Sequence, residues 1–405
     1  MSAPFSPIDI TAPAFKANPH SVFAAWRAET PIIRVGLRGP AAGAAEAFLV
    51  TRYADVSAVL KDKRLVKQPG NAGLPDLKAP AFVRPLMKNM LALDDPDHAR
   101  LKRLVQAAFN PRRIERMRAK TEAISHELID RLPFGKPFDL MHDYALPLPV
   151  AVISDMLGVP KQDRLRFARW SGALIRGSAS RWGMITSTPQ IIAFLRYLKQ
   201  FIATKRVQPD DDLVSDLIRE EIEGDRLDHE ELMAMVAILL NAGHETTTSL
   251  IGNGVIALID DPDARAQWQS GLTGPDIATE EMLRFTGPVF TSTHRYASED
   301  IEIAGIRIPR GALVLGVVTS ANRDESIFHA ADRLALDRTP NRHLTFGEGG
   351  HYCVGASLAR LEGQVAFRHL TTRLPNLRLH GDRQNVAYRR GLILSGPAEC
   401  RVIAG

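Results

Sequence analysis

Phe346-Gly347-Glu348-Gly349-Gly350-His351-Tyr352-Cys353-Val354-Gly355 carries more information than any other stretch of this chain. One cysteine sits in a glycine-dense loop, with a histidine two residues before it and a glycine two residues after. The helical pattern Ala356-Ser357-Leu358-Ala359-Arg360-Leu361-Glu362 follows at once. Glycine lets a backbone turn through positive φ and come close to a flat ligand. A thiolate at a helix N-terminus gains from the helix dipole and from inward-pointing amides. Such a sulfur suits donation of charge to a metal, which makes Cys353 the candidate centre of the chemistry. A lone cysteine is ordinarily a small buried hydrophobe, but glycines behind a Phe-Gly entry pack a core poorly. Zinc would need three or four ligands, and the only other cysteine is Cys400.

These ten residues satisfy F-G-x-G-x-H-x-C-x-G, and on them the chain resembles the cytochrome P-450 family. The resemblance implies a mainly α fold with small β-sheets, a triangular helical prism. Haem would lie between the long central helix and the helix after the cysteine loop. It implies haem b (iron-protoporphyrin IX) as cofactor, with Cys353 as axial iron ligand and Phe346, Gly347 and His351 in the haem loop. Thiolate donation favours cleavage of the O–O bond. The implied enzyme is a soluble bacterial-type monooxygenase that hydroxylates or epoxidises a small, mainly hydrophobic organic substrate. Two readings on the same scaffold stay open: a peroxide-using or isomerising haem-thiolate enzyme, and a non-catalytic haem-binding protein.

Residues 229 to 260 read as one long helix between an Asp228 cap and Asp261-Pro262. At about 1.5 Å per residue it would cross the molecule. Its middle is Ala242-Gly243-His244-Glu245-Thr246-Thr247-Thr248-Ser249. Gly243, Gly252 and Gly254 each cost about 1 kcal/mol in a helix interior, and clustered hydroxyls invite bending. Ala242 and Gly243 leave room for a small ligand, and a local distortion there would free a backbone carbonyl. Ala-Gly-x-Glu-Thr resembles the family's acid–alcohol pair, which implies that Thr246 hydrogen-bonds dioxygen while Glu245 feeds protons inward. Two other patterns fail on context. His244-Glu245 starts a zinc motif whose second histidine is Thr248, and the G-x-G-x-x-A at Gly252 lies mid-helix rather than after a strand.

Glu281-Met282-Leu283-Arg284 matches the family's E-x-x-R, with the two charges on one helix face. The resemblance implies a buried structural network completed by Arg333. It also implies that His98, Lys102, Arg295 and His351 hold the haem propionates, with lysine at 102 where arginine is common.

The 405 residues carry a net charge of +5, 45% hydrophobic and 24% charged residues, and two cysteines. That is ordinary globular composition without a disulfide framework. The mild basic excess has no nucleic-acid-type tracts, the first thirty residues lack an apolar leader, and no run reaches a membrane span. The expectation is one catalytic domain over 1–405, cytoplasmic and monomeric, with no nucleic acid or membrane partner. A β-rich portion would comprise 31–65 and 289–405, and an α-rich portion 95–285. A short helix is expected from Asn18-Pro19, strands at 32–35, 48–50, 301–303 and 306–308, and an irregular 66–92 segment. A final helix at 356–373 should lead into a strand-rich tail.

Nothing in the chain resembles a flavin or nicotinamide domain, so electrons should come from a separate ferredoxin or flavodoxin. Arg100, Arg103, Arg112, Arg113 and Arg360 are candidates for its docking face. Substrate walls are expected from 66–92, the Trp170–Pro189 region, Ile238, Leu239, Val289, Phe290, Leu392 and Ile393. Their apolar character favours a hydrophobic molecule. Arg84, Arg176 and Arg181 are candidates to meet a substrate carboxylate.

Overall fold

The computed structural model describes residues 3–37, 46–75, 80–109, 111–179, 181–219 and 227–405. Helices dominate from Asp97 to Thr286, and small sheets flank them. The largest sheet has six strands and joins the N-terminal segment to residues 295–316. Ile32–Gly36 pairs antiparallel with Glu46–Val50, which runs parallel to Leu313–Gly316. Arg295–Ala297 and Leu65–Val66 extend one side, and Phe5–Ser6 forms the other edge. The β-branched and aromatic residues of these strands face two apolar clusters, one around Val56 and Val314 and one around Phe23 and Leu49.

The central helix runs His229–Asp260 without interruption. Its start is a capping box: Glu231 N–H donates to Asp228 at 2.7 Å, and Asp228 N–H donates to Glu231 at 2.9 Å. At its end Asp261 caps the next helix, with Pro262 at the first helical position. The three interior glycines mark crossings. A Cβ on Gly243 would lie 3.0 Å from Ile153, one on Gly252 would meet Met141, and one on Gly254 would overlap the Phe367 ring. Close approach of neighbouring elements is what offsets their helix penalty. The hydroxyl run back-bonds to helix carbonyls, with Thr246 donating to Ala242 and Ser249 to Glu245, each at 3.1 Å.

Two local expectations are corrected, and the 66–92 segment is irregular as expected. The first long helix is His20–Glu29, with Pro19 at the N-cap position, while Asn18 closes a separate turn at Pro13–Ala17. The tail after Ala356–Arg373 is sparse in strands: Arg378–Leu379 and Arg401–Ile403 pair with each other and with Phe138–Asp139. The 66–92 segment holds two 3₁₀ turns, Pro69–Ala72 and Arg84–Met87, and residues 76–79 lie outside those described.

Candidate active site

The cysteine loop is built by two glycines in the left-handed region, Gly347 at φ 73° and Gly349 at φ 70°. Gly347 N–H donates to Leu344 at 2.9 Å, and Cys353 N–H donates to Phe346 at 2.9 Å, closing the loop on itself. The Phe346 ring packs under the Arg360 guanidinium, 4.5 Å from its centroid. Glu280 fixes that guanidinium through contacts of 2.6 and 2.8 Å. Cys353 is surrounded by protein but its side chain is exposed to the cavity of about 730 Å³ that it lines. Burial pushes its thiol up, against the opposing pull of Gly355 N–H, Arg360 and Lys102. A cation bound at the sulfur would favour its thiolate form.

The same cavity is lined by Ala242, Gly243 and Thr246 of the central helix. Glu245 also reaches it, but its carboxylate is engaged on the side of the C-terminal segment. Oε2 accepts from Arg389 at 2.7 Å, and Oε1 lies 3.4 Å from His244 Nε2. Burial raises the Glu245 pKa, and the contacts to His244 and Arg389 outweigh it, leaving the carboxyl below its ordinary range. Arg389 lies 144 residues away in the chain, and nothing in the sequence pattern links the two.

One rim of the cavity gathers basic side chains. The His98 and His351 rings lie 3.9 Å apart between centroids. Lys102 Nζ donates to the carbonyls of Gly350 and Tyr352, tying its helix to the cysteine loop. Arg295 donates to the carbonyls of Leu60 and Thr293, each at 3.4 Å. Lys67 stands behind them, buried and bonded to Thr293 and to His294 O without itself lining the cavity; sequence reasoning missed it. Burial, followed by Lys67, His98, Arg295 and Lys102, pushes His351 down to about 2. Burial pushes Arg295 down to about 10. Two carboxylates placed at this rim would relieve the repulsion. With a thiol facing the same space, the donor set fits the two propionates and iron of haem.

Ile238, Leu239, Val289, Leu392 and Ile393 all line the cavity, and Met90 and Leu91 represent the 66–92 segment. Phe290 does not. It is fully buried on the opposite side of its strand-like segment, against Phe15 and Phe23 at 6.3 and 5.5 Å. Val289 pairs with Leu394, so alternation turns the next side chain away from the cavity. Trp170 is likewise core, in an aromatic cluster with Phe167, Phe194 and Tyr197. Arg84 and Arg176 are not among the cavity residues, and Arg176 donates to Gln190 at 3.0 Å. The Arg181 side chain lies outside the described residues.

Residues 128–272 and 276–397 match the family model described as cytochrome P450. The chain belongs to the cytochrome P450 family. The P450 is 37% identical over 386 residues to the polyketide biosynthesis cytochrome P450 PksS of Bacillus subtilis, covering 94% of this chain and 95% of that one. It is 41% identical over 364 residues to the mycinamicin IV hydroxylase/epoxidase of Micromonospora griseorubida, covering 88% and 89%. Among solved structures, PksS superposes with a TM-score of 0.90 at 35% identity, over 98% of this chain and all of that one. Tirandamycin C-bound TamI gives 0.88 at 36% identity, over 98% and 100%. The P450 is a haem-dependent monooxygenase that incorporates one oxygen atom of dioxygen into an organic substrate. Among the described residues no helix is long and apolar enough to cross a membrane.

Two assignments around the P450 site change. Glu281 and Arg284 are fully buried and bidentate, with both contacts at 2.7 Å. The further guanidinium on Glu281 is that of Arg338, at 3.1 and 3.2 Å, and not that of Arg333. Arg333 contributes its carbonyl to Arg284, and its side chain points to solvent. The chain passes Glu281 at Ala335, whose N–H donates to it at 2.9 Å, so the later arginine can reach back. Of the proposed docking arginines, three are engaged internally. Arg100 pairs with Glu231, Arg113 is buried against Asp211 and Asp216, and Arg360 is held by Glu280. Arg103 and Arg112 are exposed.

Proposed function

We propose that the chain acts as a single catalytic domain in which Cys353 ligates the haem iron. In this reading Phe346 and Gly347 shape the loop, and His98, Lys102, Arg295 and His351 take the propionates, with Lys67 behind them. The observation that carries the reading is that Cys353 and the Ala242–Thr246 turn open onto one cavity from two different elements. Bound there, haem supplies dioxygen activation assisted by thiolate donation. The protein's part is to bind, to orient and to move protons. Gly243 and Ala242 leave space beside the helix, the Thr246 hydroxyl turns from the Ala242 carbonyl to donate toward dioxygen, and Glu245 exchanges protons with water.

Apolar walls from Ile238, Leu239, Val289, Leu392 and Ile393 select a hydrophobic molecule by desolvation. Relatives named for polyketide biosynthesis, mycinamicin IV and tirandamycin C support a natural product of that size class as substrate. A separate ferredoxin or flavodoxin supplies electrons to a monomeric enzyme in the cytoplasm. Replacing Thr246 with Ala tests the reading. Peroxide released per NAD(P)H consumed should rise, because losing a positioned proton-transfer group slows the coupled branch by roughly 10²-fold or more. Unchanged coupling would remove Thr246 from the chemistry and favour an enzyme that uses peroxide directly.

A further inference from the structure

The C-terminal segment that walls the cavity with Leu392, Ile393 and Leu394 also delivers Arg389 to the central helix. It is held from both sides. Arg389 N–H donates to Gly396 at 3.0 Å and Ala398 N–H to Ala387 at 2.7 Å, which makes 387–398 a hairpin. The next side chain goes elsewhere: Arg390 reaches Asp9 at 2.9 Å and Thr11 at 3.0 Å. Arg389 is thus aimed at Glu245 by the hairpin and anchored from behind. The Glu245 side chain is 9% exposed and that of Arg389 35%. The guanidinium is therefore the more accessible end of a pair whose carboxylate is enclosed.

A relay acid must bind and release a proton in every cycle. Glu245 in this geometry is committed to the anionic form by two neighbours. Among the described residues the titratable and charged groups acting on it are His244, from its own helix, and Arg389, from the hairpin. Burial alone would favour the protonated acid.

We propose that Arg389 is the positioning residue of the proton relay: it parks Glu245 as a carboxylate, and the relay conducts when this ion pair opens. A proton then moves from water onto a Glu245 oxygen and onward toward Thr246. The carboxylate re-forms and returns to Arg389, and no electron moves. This rests on the reading of Glu245 and Thr246 as the acid–alcohol pair.

The test uses haem-loaded, full-length protein with Arg389→Gln, Arg389→Lys and Glu245→Gln. The protonated-carboxyl infrared band is followed against pH without turnover, and the band lost in Glu245→Gln is assigned to Glu245. Arg389→Gln should raise its midpoint by about one pH unit or more, the usual effect of losing an adjacent opposite charge. Arg389→Lys should restore the wild-type midpoint. In turnover, the acid limb of coupled product formation should move with the midpoint, while the substrate Kd from the spin-state shift stays within about twofold. A midpoint unmoved in Arg389→Gln would overturn the proposal, as would parallel losses in substrate Kd and rate, which mark a brace for the pocket wall. If Arg389→Gln does not retain haem, Arg389→Met carries the neutral arm. Normal coupling in both Glu245→Gln and Thr246→Ala would instead sink the acid–alcohol reading, whatever Arg389 does.

Discussion

Arg338 donates to both carboxylate oxygens of Glu281, at 3.1 and 3.2 Å, from 57 residues further along the chain. Glu281 thereby receives Arg284, Arg338, the Ala335 N–H and the Asn341 amide at once. A buried carboxylate is tolerated when its lone pairs are satisfied in this way. The arrangement pins the helix Pro275–Thr286 to the irregular segment that leads into the cysteine loop.

Arg338→Ala should therefore destabilise the P450 by about 2 kcal/mol, the scale of lost hydrogen bonds to a charged group that keeps another partner. Arg333→Ala should stay within about 0.5 kcal/mol, as exposed substitutions do. Urea unfolding of the two variants separates them, and equal losses would contradict the geometry.

Lys67 should act with opposite sign in the loaded and the empty protein. Burial, then Arg295, holds its ammonium well below 10.5. In haem-free protein the unfolded chain then binds more protons at Lys67 than the native one. The resulting penalty is full below the folded pKa and fades as pH climbs toward 10.5. Lys67→Met should stabilise haem-free protein more at pH 7 than at pH 10, yet speed haem loss from the loaded enzyme about tenfold. Haem transfer to an acceptor globin measures the second effect.

Glu362 is fully buried, with Thr247 as its polar neighbour, and burial pushes its carboxyl up from 4.5 to about 8. Below 4.5 the neutral acid is present in both states and carries no ionic penalty. Between 4.5 and 8 the unfolded chain ionises while the native one does not. Stability is lost there by up to about 1.4 kcal/mol per pH unit. Glu362→Gln should remove that slope, so its advantage in thermal denaturation grows from pH 5 to pH 8. A constant difference across that range would contradict a raised pKa.

Gly254→Ala sets two magnitudes against each other. Helix propensity favours alanine by about 1 kcal/mol, while forcing a methyl into the Phe367 ring costs about 1–3 kcal/mol. Overlap wins because both groups are buried, and the net effect should be a loss. Adding Phe367→Leu should recover part of it, a non-additivity visible in a double-mutant cycle.

Electron delivery gives a surface prediction. The helix Asp97–Ala108 touches the cysteine loop through Lys102, and Pro111–Asp130 packs on Ala356–Arg373. Reversing the charge of exposed Arg103 and Arg112 should weaken ferredoxin-driven turnover about tenfold at low salt, with substrate binding unchanged. Reversing Arg113 instead should destabilise the fold, because its partners Asp211 and Asp216 would face a like charge.

The sequence by itself determined what depends on neighbours a few residues apart. The cysteine loop is one such case, where glycine φ angles and spacing lie within ten residues. The bounds of the central helix are another, set by Asp228 and Asp261-Pro262, and the Glu281–Arg284 pair is a third, one helical turn apart. Tertiary structure decided the rest. Arg338 rather than Arg333 reaches Glu281, Arg389 engages Glu245, Lys67 backs the basic rim, and Phe290 leaves the cavity for the core. Each of these turns on the path of an irregular segment or on the face of a short strand, where no period relates spacing to direction. Local rules choose the residues that can do chemistry, and long-range packing chooses their partners.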